Sequence, residues 1–279
     1  MEICVFSKHF QELDADALGK TMKDLGVDGV DLTVRPGGHV EPEKVKEDLP
    51  RFKDALDKHG IAISMISTGI NTVNQVNSDI IKKAGELGIK YLKMGYWVYK
   101  GFGNYLQQEK EVKGILSELE PIFKDNKVKA GLHTHSGTFM GLNANYVLRL
   151  IQDRDPDVYG VYYDTGHETL EGGAQGWAMN LDLVQDRIIM VAVKSMNWFH
   201  MGNVDDKAKG WTWRTVPLET GMADIGAMLG ILKQTGYDGL YSLHSEYQGP
   251  FSWRNLKTDE VIEQTRKDLA YFRKLLGNN

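Results

Sequence analysis

Residues 235–243 read TGYDGLYSL, and the same joint recurs at 25–32 (LGVDGVDL), 59–66 (HGIAISMI) and 87–94 (LGIKYLKM). In each, a glycine closes a segment with helical spacing and an apolar, β-prone run starts at once. Glycine enters the left-handed conformation that ends a helix without steric cost, so the joint predicts helix, turn and strand in immediate succession. Outward from these joints, short apolar runs predict strands near 2–6, 28–34, 61–67, 89–94, 128–133, 158–164, 188–194 and 239–244. The segments between them carry helical patterns. In PEKVKEDLPRFKDALDKHG (42–60), Val45, Leu49, Phe52 and Leu56 share one stripe, and Pro42 suits the first turn. Strands joined by crossover helices must be parallel. Eight of them in 279 residues predict a single (β/α)8 TIM barrel over residues 1–279 rather than an open sheet. No linker or low-complexity stretch divides the chain. The longest interval, between the seventh and eighth strands, holds NWFHMGNVDDKAKGWTWRTVPLETG (197–221), which reads as a lid or binding loop.

Composition narrows the function. The chain is 42% hydrophobic and 25% charged, and no run reaches the roughly 18 apolar residues that a membrane span needs. A net charge of −5 with no dense Lys/Arg cluster argues against nucleic acid as the main partner, because that binding rests on phosphate neutralisation. A small molecule fits better. A lone cysteine, Cys4, excludes an internal disulfide. The first strand begins directly at Met1, which leaves both a cytoplasmic protein and an exported one with a trimmed leader open.

In such barrels the chemistry sits where the strands end. Asp31, Arg35 and His39 follow the second strand. The fifth ends in GLHTHSG (131–137), where strand alternation turns His133 and His135 to one face and Thr134 to the other. The sixth ends in YYDTGHE (162–168) with Asp164, His167 and Glu168, the seventh in Lys194, and the eighth in His244 and Glu246. All six tryptophans, Trp97, Trp177, Trp198, Trp211, Trp213 and Trp253, are placed after strand ends, and Tyr96, Tyr99, Phe102 and Tyr105 thicken the rim beside Trp97. Aromatic faces suit the C–H faces of a sugar ring and equally suit a contact between subunits, so a homo-oligomer stays open. Arg35, Lys194, Arg214 and Arg254 could hold a carboxylate or phosphate or simply pair with surface acids. No Gly-rich phosphate loop follows the last strands.

Taken together, GVDGVDLTVRPGGHVEPE (26–43), HTHSG (133–137), YYDTGHE and VPLETGMADIGAMLGILKQTGYDGLYSLHSEY (216–247) resemble the xylose-isomerase-like TIM barrels. This superfamily of sugar (phosphate) isomerases and epimerases also contains inosose dehydratase and the endonuclease IV type of repair enzyme. The resemblance implies one divalent ion held by a Glu ending the fifth strand, an Asp ending the sixth, a His on the seventh and a Glu on the eighth. Asp164 and Glu246 match. His133 takes the fifth-strand position with His135 just beyond it, and Ala192 stands where the histidine would be. The implied cofactor is therefore Mn2+, Mg2+ or Zn2+ on Asp164, Glu246, His133 and His135, or else Lys194 supplies a fixed positive charge and no ion is needed. The implied activity is a sugar or cyclitol isomerase or epimerase working by proton transfer next to a carbonyl. Glu246, His133 and Lys194 would be catalytic, and Arg35, His39, His167, Trp97, Trp198, Trp213 and Trp253 would bind substrate. A keto-sugar lyase or dehydratase on the same residues, and a degenerate carbohydrate-binding barrel, are the alternatives. A DNA-repair nuclease fits poorly, because three-metal sites need more ligands than this rim holds.

Overall fold

The computed structural model describes residues 1–202 and 210–277. Its strands are β1 (Glu2–Phe6), β2 (Gly29–Val34), β3 (Ala62–Thr68), β4 (Tyr91–Lys93), β5 (Lys129–His133), β6 (Tyr159–Asp164), β7 (Ile188–Val193), β8 (Ser195–His200), β9 (Trp211–Val216) and β10 (Leu240–Leu243). Strands β1 to β7 and β10 are parallel and close on themselves, β1 pairing with both β2 and β10. Helices α1 (Ala15–Leu25), α2 (Val45–Asp57), α3 (Gln75–Glu86), α4 (Tyr105–Asp125), α5 (Ala144–Ile151), α6 (Thr165–Val184), α7 (Ile225–Gln234) and α8 (Thr258–Gly277) surround it. The expected (β/α)8 barrel is thus the observed fold, and each expected strand is present with ends shifted by at most two residues. No described helix is long and apolar enough to cross a membrane.

The joints work as read. Gly26, Gly60, Gly88 and Gly236 all have positive φ, between 68° and 79°. Gly26 caps α1 by donating its amide to the Met22 and Lys23 carbonyls. At the helix starts, the side chains of Asp14, Asn74, Asn143, Asp164 and Asp224 accept from backbone amides, satisfying donors that the first turn leaves free. Asp164 does this from the last position of β6, so one carboxylate both starts α6 and faces the barrel mouth.

Apolar side chains fill two layers. Val30, Leu32, Ile66, Leu132, Val161 and Val191 face outward and pack under helical stripes such as Val45, Leu49 and Leu56. Inside the barrel a smaller cluster of Cys4, Met65, Tyr162, Met190, Ala192 and Leu240 forms the floor beneath the mouth. Ala192 pairs in register with Asp164 on one side and Ser242 on the other. The seventh-strand position that could have carried a histidine is therefore a small floor residue.

Two expectations change. Trp177 does not follow a strand: it lies within α6, 6% exposed, packed in the core with its indole N–H bonded to the Ala174 carbonyl. The 197–221 segment is in large part a β-hairpin, β8 antiparallel to β9 with Trp198 opposite Trp213. The part of this expected lid over 203–209 lies outside the described residues.

Candidate active site

The DTGHE segment is wrapped around Lys194. The Thr165 hydroxyl donates to the Lys194 carbonyl (2.7 Å) and accepts from its amide (3.0 Å). Gly166 leaves room for the lysine stem: a Cβ there would fall 2.9 Å from Lys194 Cγ. The ammonium, 2% exposed, then donates to three acceptors, His167 Nε2 at 2.8 Å, Asp164 Oδ2 at 3.1 Å and Glu246 Oε1 at 3.1 Å. A lysine has three N–H donors, and all three are used. Burial alone would lower its pKa, but Asp164 and Glu246 outweigh that and hold it above the ordinary value. The same attraction acts in reverse. Burial pushes the Asp164 carboxyl up, and Lys194, His167 and His133 more than offset this, keeping it well below the usual carboxylate range. Glu246 is likewise held well below by Lys194 and Lys8 against the upward push of burial. Its Oε2 pairs with Lys8, whose side chain is 39% exposed.

A hydrogen-bond chain meets this cluster from β5. His133 Nε2 lies 3.0 Å from Asp164 Oδ2, and His133 Nδ1 lies 2.7 Å from the Tyr96 hydroxyl. Burial drives the His133 pKa well below its ordinary value despite Asp164, so the ring is neutral. With Asp164 ionised, Nε2 carries the proton and Nδ1 accepts from Tyr96. Burial raises the Tyr96 phenol well above its usual value, so it keeps its proton. Beside them His135 lies against His167 with centroids 4.0 Å apart and planes tilted by 38°, and burial, then Lys194, lower its pKa to about 4.

These groups border a cavity at the strand ends with about 450 Å3 of empty space including its open mouth, a size for a small polar ligand. Phe6, Lys8, Arg35, Ser67, Lys93, Tyr96, His133, His135, Tyr162, His244 and Glu246 line it. His244 approaches Glu246 Oε1 at 3.4 Å, and the Tyr162 hydroxyl sits 2.8 Å from His244 Nε2. Asp31 lies under them, its Oδ2 accepting from Ser242 at 3.0 Å, and burial raises its pKa.

Glu246, His133, His135 and Arg35, all expected at the site, line the cavity, while Asp164, Lys194 and His167 form the buried cluster beneath. The other expected residues go elsewhere. His39 ties the loop after β1 to the loop after β2, its Nε2 3.1 Å from the Phe10 carbonyl and its Nδ1 3.1 Å from Thr33 Oγ1. Trp97 bonds the Asn71 carbonyl (2.8 Å) and packs on the core. Trp253 packs edge-on to Tyr247 with centroids 5.0 Å apart. Trp198 is 42% exposed on the hairpin. Trp213 stacks on Phe251 (4.9 Å) and meets His167 edge-on (5.8 Å), so it walls the cluster from the solvent side. The aromatic faces in the cavity itself belong to Phe6, Tyr96 and Tyr162. Glu168, also expected at the rim, accepts from the Ala144 amide (2.7 Å) and Asn180 (2.8 Å) and secures the start of α5. Lys8 and Lys93 were missed. Lys93 ends β4, and its inward parity could have been counted from the strand end.

The fold defines a parallel α/β barrel with its polar cluster at the carboxyl ends of the strands, and the sequence places it in a family. The model of the xylose isomerase-like TIM barrels matches residues 20–275, so the chain belongs to that family. Similar solved structures include D-psicose 3-epimerase with D-tagatose from Clostridium cellulolyticum H10, at 11% identity and TM-score 0.73 with 99% of each chain covered. Another is 3-keto-D-glucoside 4-epimerase from E. coli in its apo form, at 15% identity and TM-score 0.70, covering 98% of this chain and 99% of that one. A third is a xylose isomerase-like TIM barrel protein from Mycobacterium smegmatis in complex with magnesium, at 15% identity and TM-score 0.69, covering 99% and 97%. No curated protein matches the sequence significantly. At these identities the likeness is one of fold.

A divalent ion does not fit this donor set. Asp164, Glu246 and His167 already converge on the Lys194 ammonium, and His133 donates to Asp164 rather than offering it a lone pair for sharing. The remaining position is Ala192. A second cation between the same oxygens would be repelled by the first and would have to displace a fully hydrogen-bonded ammonium. Among the described residues no group of three or more His, Cys, Asp and Glu side chains is arranged to hold a metal.

Proposed function

We propose that this protein is an isomerase or epimerase of a small keto-sugar or cyclitol, moving a proton at the carbon next to a carbonyl with a lysine in place of a metal. One observation carries the reading: an ionised carboxylate, Glu246, and a neutral Tyr96–His133 pair backed by the ionised Asp164 open onto one small polar cavity. Proton transfer of this kind needs a base near the C–H bond and a donor near the carbonyl oxygen.

In this scheme Glu246 Oε2 takes the proton. Lys194 fixes Oε1, while Lys8, the more exposed of its two lysine partners, is the tether a substrate hydroxyl would displace. Losing one positive neighbour raises the basicity of the carboxylate as the substrate seats. The Tyr96 hydroxyl turns its proton from His133 Nδ1 to the carbonyl oxygen and donates a hydrogen bond there. Asp164 holds the His133 tautomer, as an orienting carboxylate does. Lys194 acts as the fixed cation that keeps both carboxylates ionised in a buried place. Charge developing on the substrate oxygen faces the Arg35 guanidinium. Phe6 and Tyr96 offer faces to the ring.

Deuterium incorporation tests this. Chelator-treated protein in D2O, given a panel of ketohexoses and 3-keto-glucosides, is expected to exchange one C–H next to the carbonyl, and Glu246→Gln to slow this 100-fold or more. No exchange with any member, or exchange unchanged by Glu246→Gln, sinks the proposal. The mass of the product separates the lyase alternative, since elimination loses water or an alcohol and isomerisation loses nothing.

A further inference from the structure

The cavity holds a lysine that nothing above uses. Lys93 ends β4, pairs in register with Ser67 of β3, and is 5% exposed, yet it lines the cavity together with Ser67. Among the described residues its ammonium position has no ion pair and no hydrogen bond. Its Nζ lies 3.6 Å from the centroid of the Tyr96 ring, whose hydroxyl begins the chain to His133. Lys194, equally buried, is saturated by three acceptors. Lys8 is paired with Glu246. Among the described residues Lys93 is therefore the cavity lysine whose nitrogen has no hydrogen-bond or ion-pair partner, held over the face of the ring whose hydroxyl would serve a carbonyl oxygen.

We infer that Lys93 is a covalent nucleophile that forms an imine with the carbonyl of a keto-sugar in this cavity, which rests on the carbonyl-bearing substrate class proposed above. Lysines become nucleophilic when they are desolvated or set beside another cation, because only the neutral amine has a free lone pair. Both conditions are met here: burial first, then the Arg35 guanidinium, bring the Lys93 pKa down to about 7, against upward pulls from Asp31 and Glu246. Arg35 has no acid partner among the described residues and lies 5.6 Å over the Phe6 ring.

The step balances without an oxidant. Neutral Nζ adds to the carbonyl carbon, forming a C–N bond. The carbonyl oxygen takes two protons, one shed by Nζ on addition and one drawn from solvent by way of the Tyr96 hydroxyl, and leaves as water, giving a protonated imine. Its positive charge acidifies the neighbouring C–H, so removal of that proton by Glu246 gives a neutral enamine instead of an enediolate. Return of a proton on either face and addition of water release the product and restore Lys93. The cation this chemistry needs is thereby made on the substrate itself, consistent with the other buried cation being locked among Asp164, Glu246 and His167.

The test is reductive trapping. Wild-type protein is incubated near pH 7 with D-fructose or dihydroxyacetone and sodium cyanoborohydride, and the modified lysines are mapped by peptide mass. An amine near pKa 7 is about half neutral at that pH and an ordinary lysine about one part in 2,500, so Lys93 is expected to label roughly 10³-fold faster than an ordinary surface lysine. Its labelling rate should reach half-maximum near pH 7, and the adduct should be missing from Lys93→Met, whose fold is checked by circular dichroism. Labels spread evenly over surface lysines with Lys93 unmodified in the wild type overturn the inference without reference to any variant. Deuterium exchange without a Lys93 adduct overturns the imine and leaves the proton transfer standing. A Lys93 adduct without exchange upholds the imine and removes the proton-transfer reading.

Discussion

Lys194→Met removes the ammonium while nearly preserving side-chain length. Asp164, fully buried, would then keep only the His133 N–H, the Thr134-anchored backbone around it and the His167 amide, while Glu246 would still have Lys8. Removing one partner of a buried pair costs about 3–5 kcal/mol, because the other charge is left uncompensated. Unfolding entropy of roughly 2.1 cal/mol/K per residue over 279 residues is about 0.6 kcal/mol/K, so the melting temperature should fall by about 5–9 °C at pH 7. The dependence on pH separates this cause from a packing defect. In the wild type both carboxyls titrate well below their unfolded values, so their contribution is complete above about pH 4 and is lost only as pH falls through the lowered folded values. In the variant the carboxyls rise and take up protons earlier. Its deficit against wild type should therefore shrink between pH 7 and about 4.5. Calorimetry at the two pH values reads this, and Lys194→Met with Asp164→Asn should be more stable than Lys194→Met alone, because the orphaned charge is gone. A variant as stable as wild type at pH 7, or a deficit that does not change with pH, would refute the assignment of Lys194 as the counter-ion.

The buried rings should cost the wild type stability on acidification, against an opposing gain from Glu168 and Asp268, whose carboxyls burial pushes up to about 7 and about 6. His133, His135 and His167 are all held below their ordinary values, so the unfolded chain takes up protons first as pH drops below about 6.5. His135 alone, from about 6.5 to about 4, accounts for at most about 3 kcal/mol, less where solvent screens it. Urea midpoints at pH 7, 5.5 and 4.5 should fall more steeply in wild type than in His135→Gln, and parallel profiles would contradict a neutral buried ring at 135. Gly166→Val should cost about 1–3 kcal/mol and disturb the cluster, because its side chain would collide with the Lys194 stem and approach the Lys194 carbonyl. Comparable melting and exchange rates in wild type and variant would show that the close approach is not needed.

The barrel was legible because its punctuation is local. A glycine between an amphipathic stripe and an apolar run fixes helix end and strand start within a few residues, and four such joints repeat. The candidate site was legible in part for a similar reason: polar residues at strand ends share one rim whenever the barrel closes, which brought Asp164, His133, Lys194 and Glu246 together correctly. What the rim cannot reveal is depth. Lys194 follows β7 with the same parity as Ala192 yet reaches down among three acceptors from β6, α6 and the β10 end, a convergence that no single segment encodes. Lys93 looked like an ordinary lysine in KYLKMGYW, because its burial depends on the cavity formed by strands on both sides. The tryptophans misled in the opposite direction. Strand-end position drew attention to Trp97 and Trp253, but their rings pack on core and neighbouring aromatics, and Trp177 follows helical spacing inside α6.

Divalent-metal content bears most directly on the central claim, that the Lys194 ammonium takes the place of an ion in this proton-transfer site. Wild type, Lys194→Ala and Asp164→Ala are equilibrated with Mn2+, Mg2+ and Zn2+, freed of unbound metal and measured by elemental analysis. The account predicts that wild type retains essentially none, while Lys194→Ala, with Asp164, Glu246 and His167 released, gains metal and is stabilised by it. Near-stoichiometric metal in wild type that disappears in Asp164→Ala would contradict it.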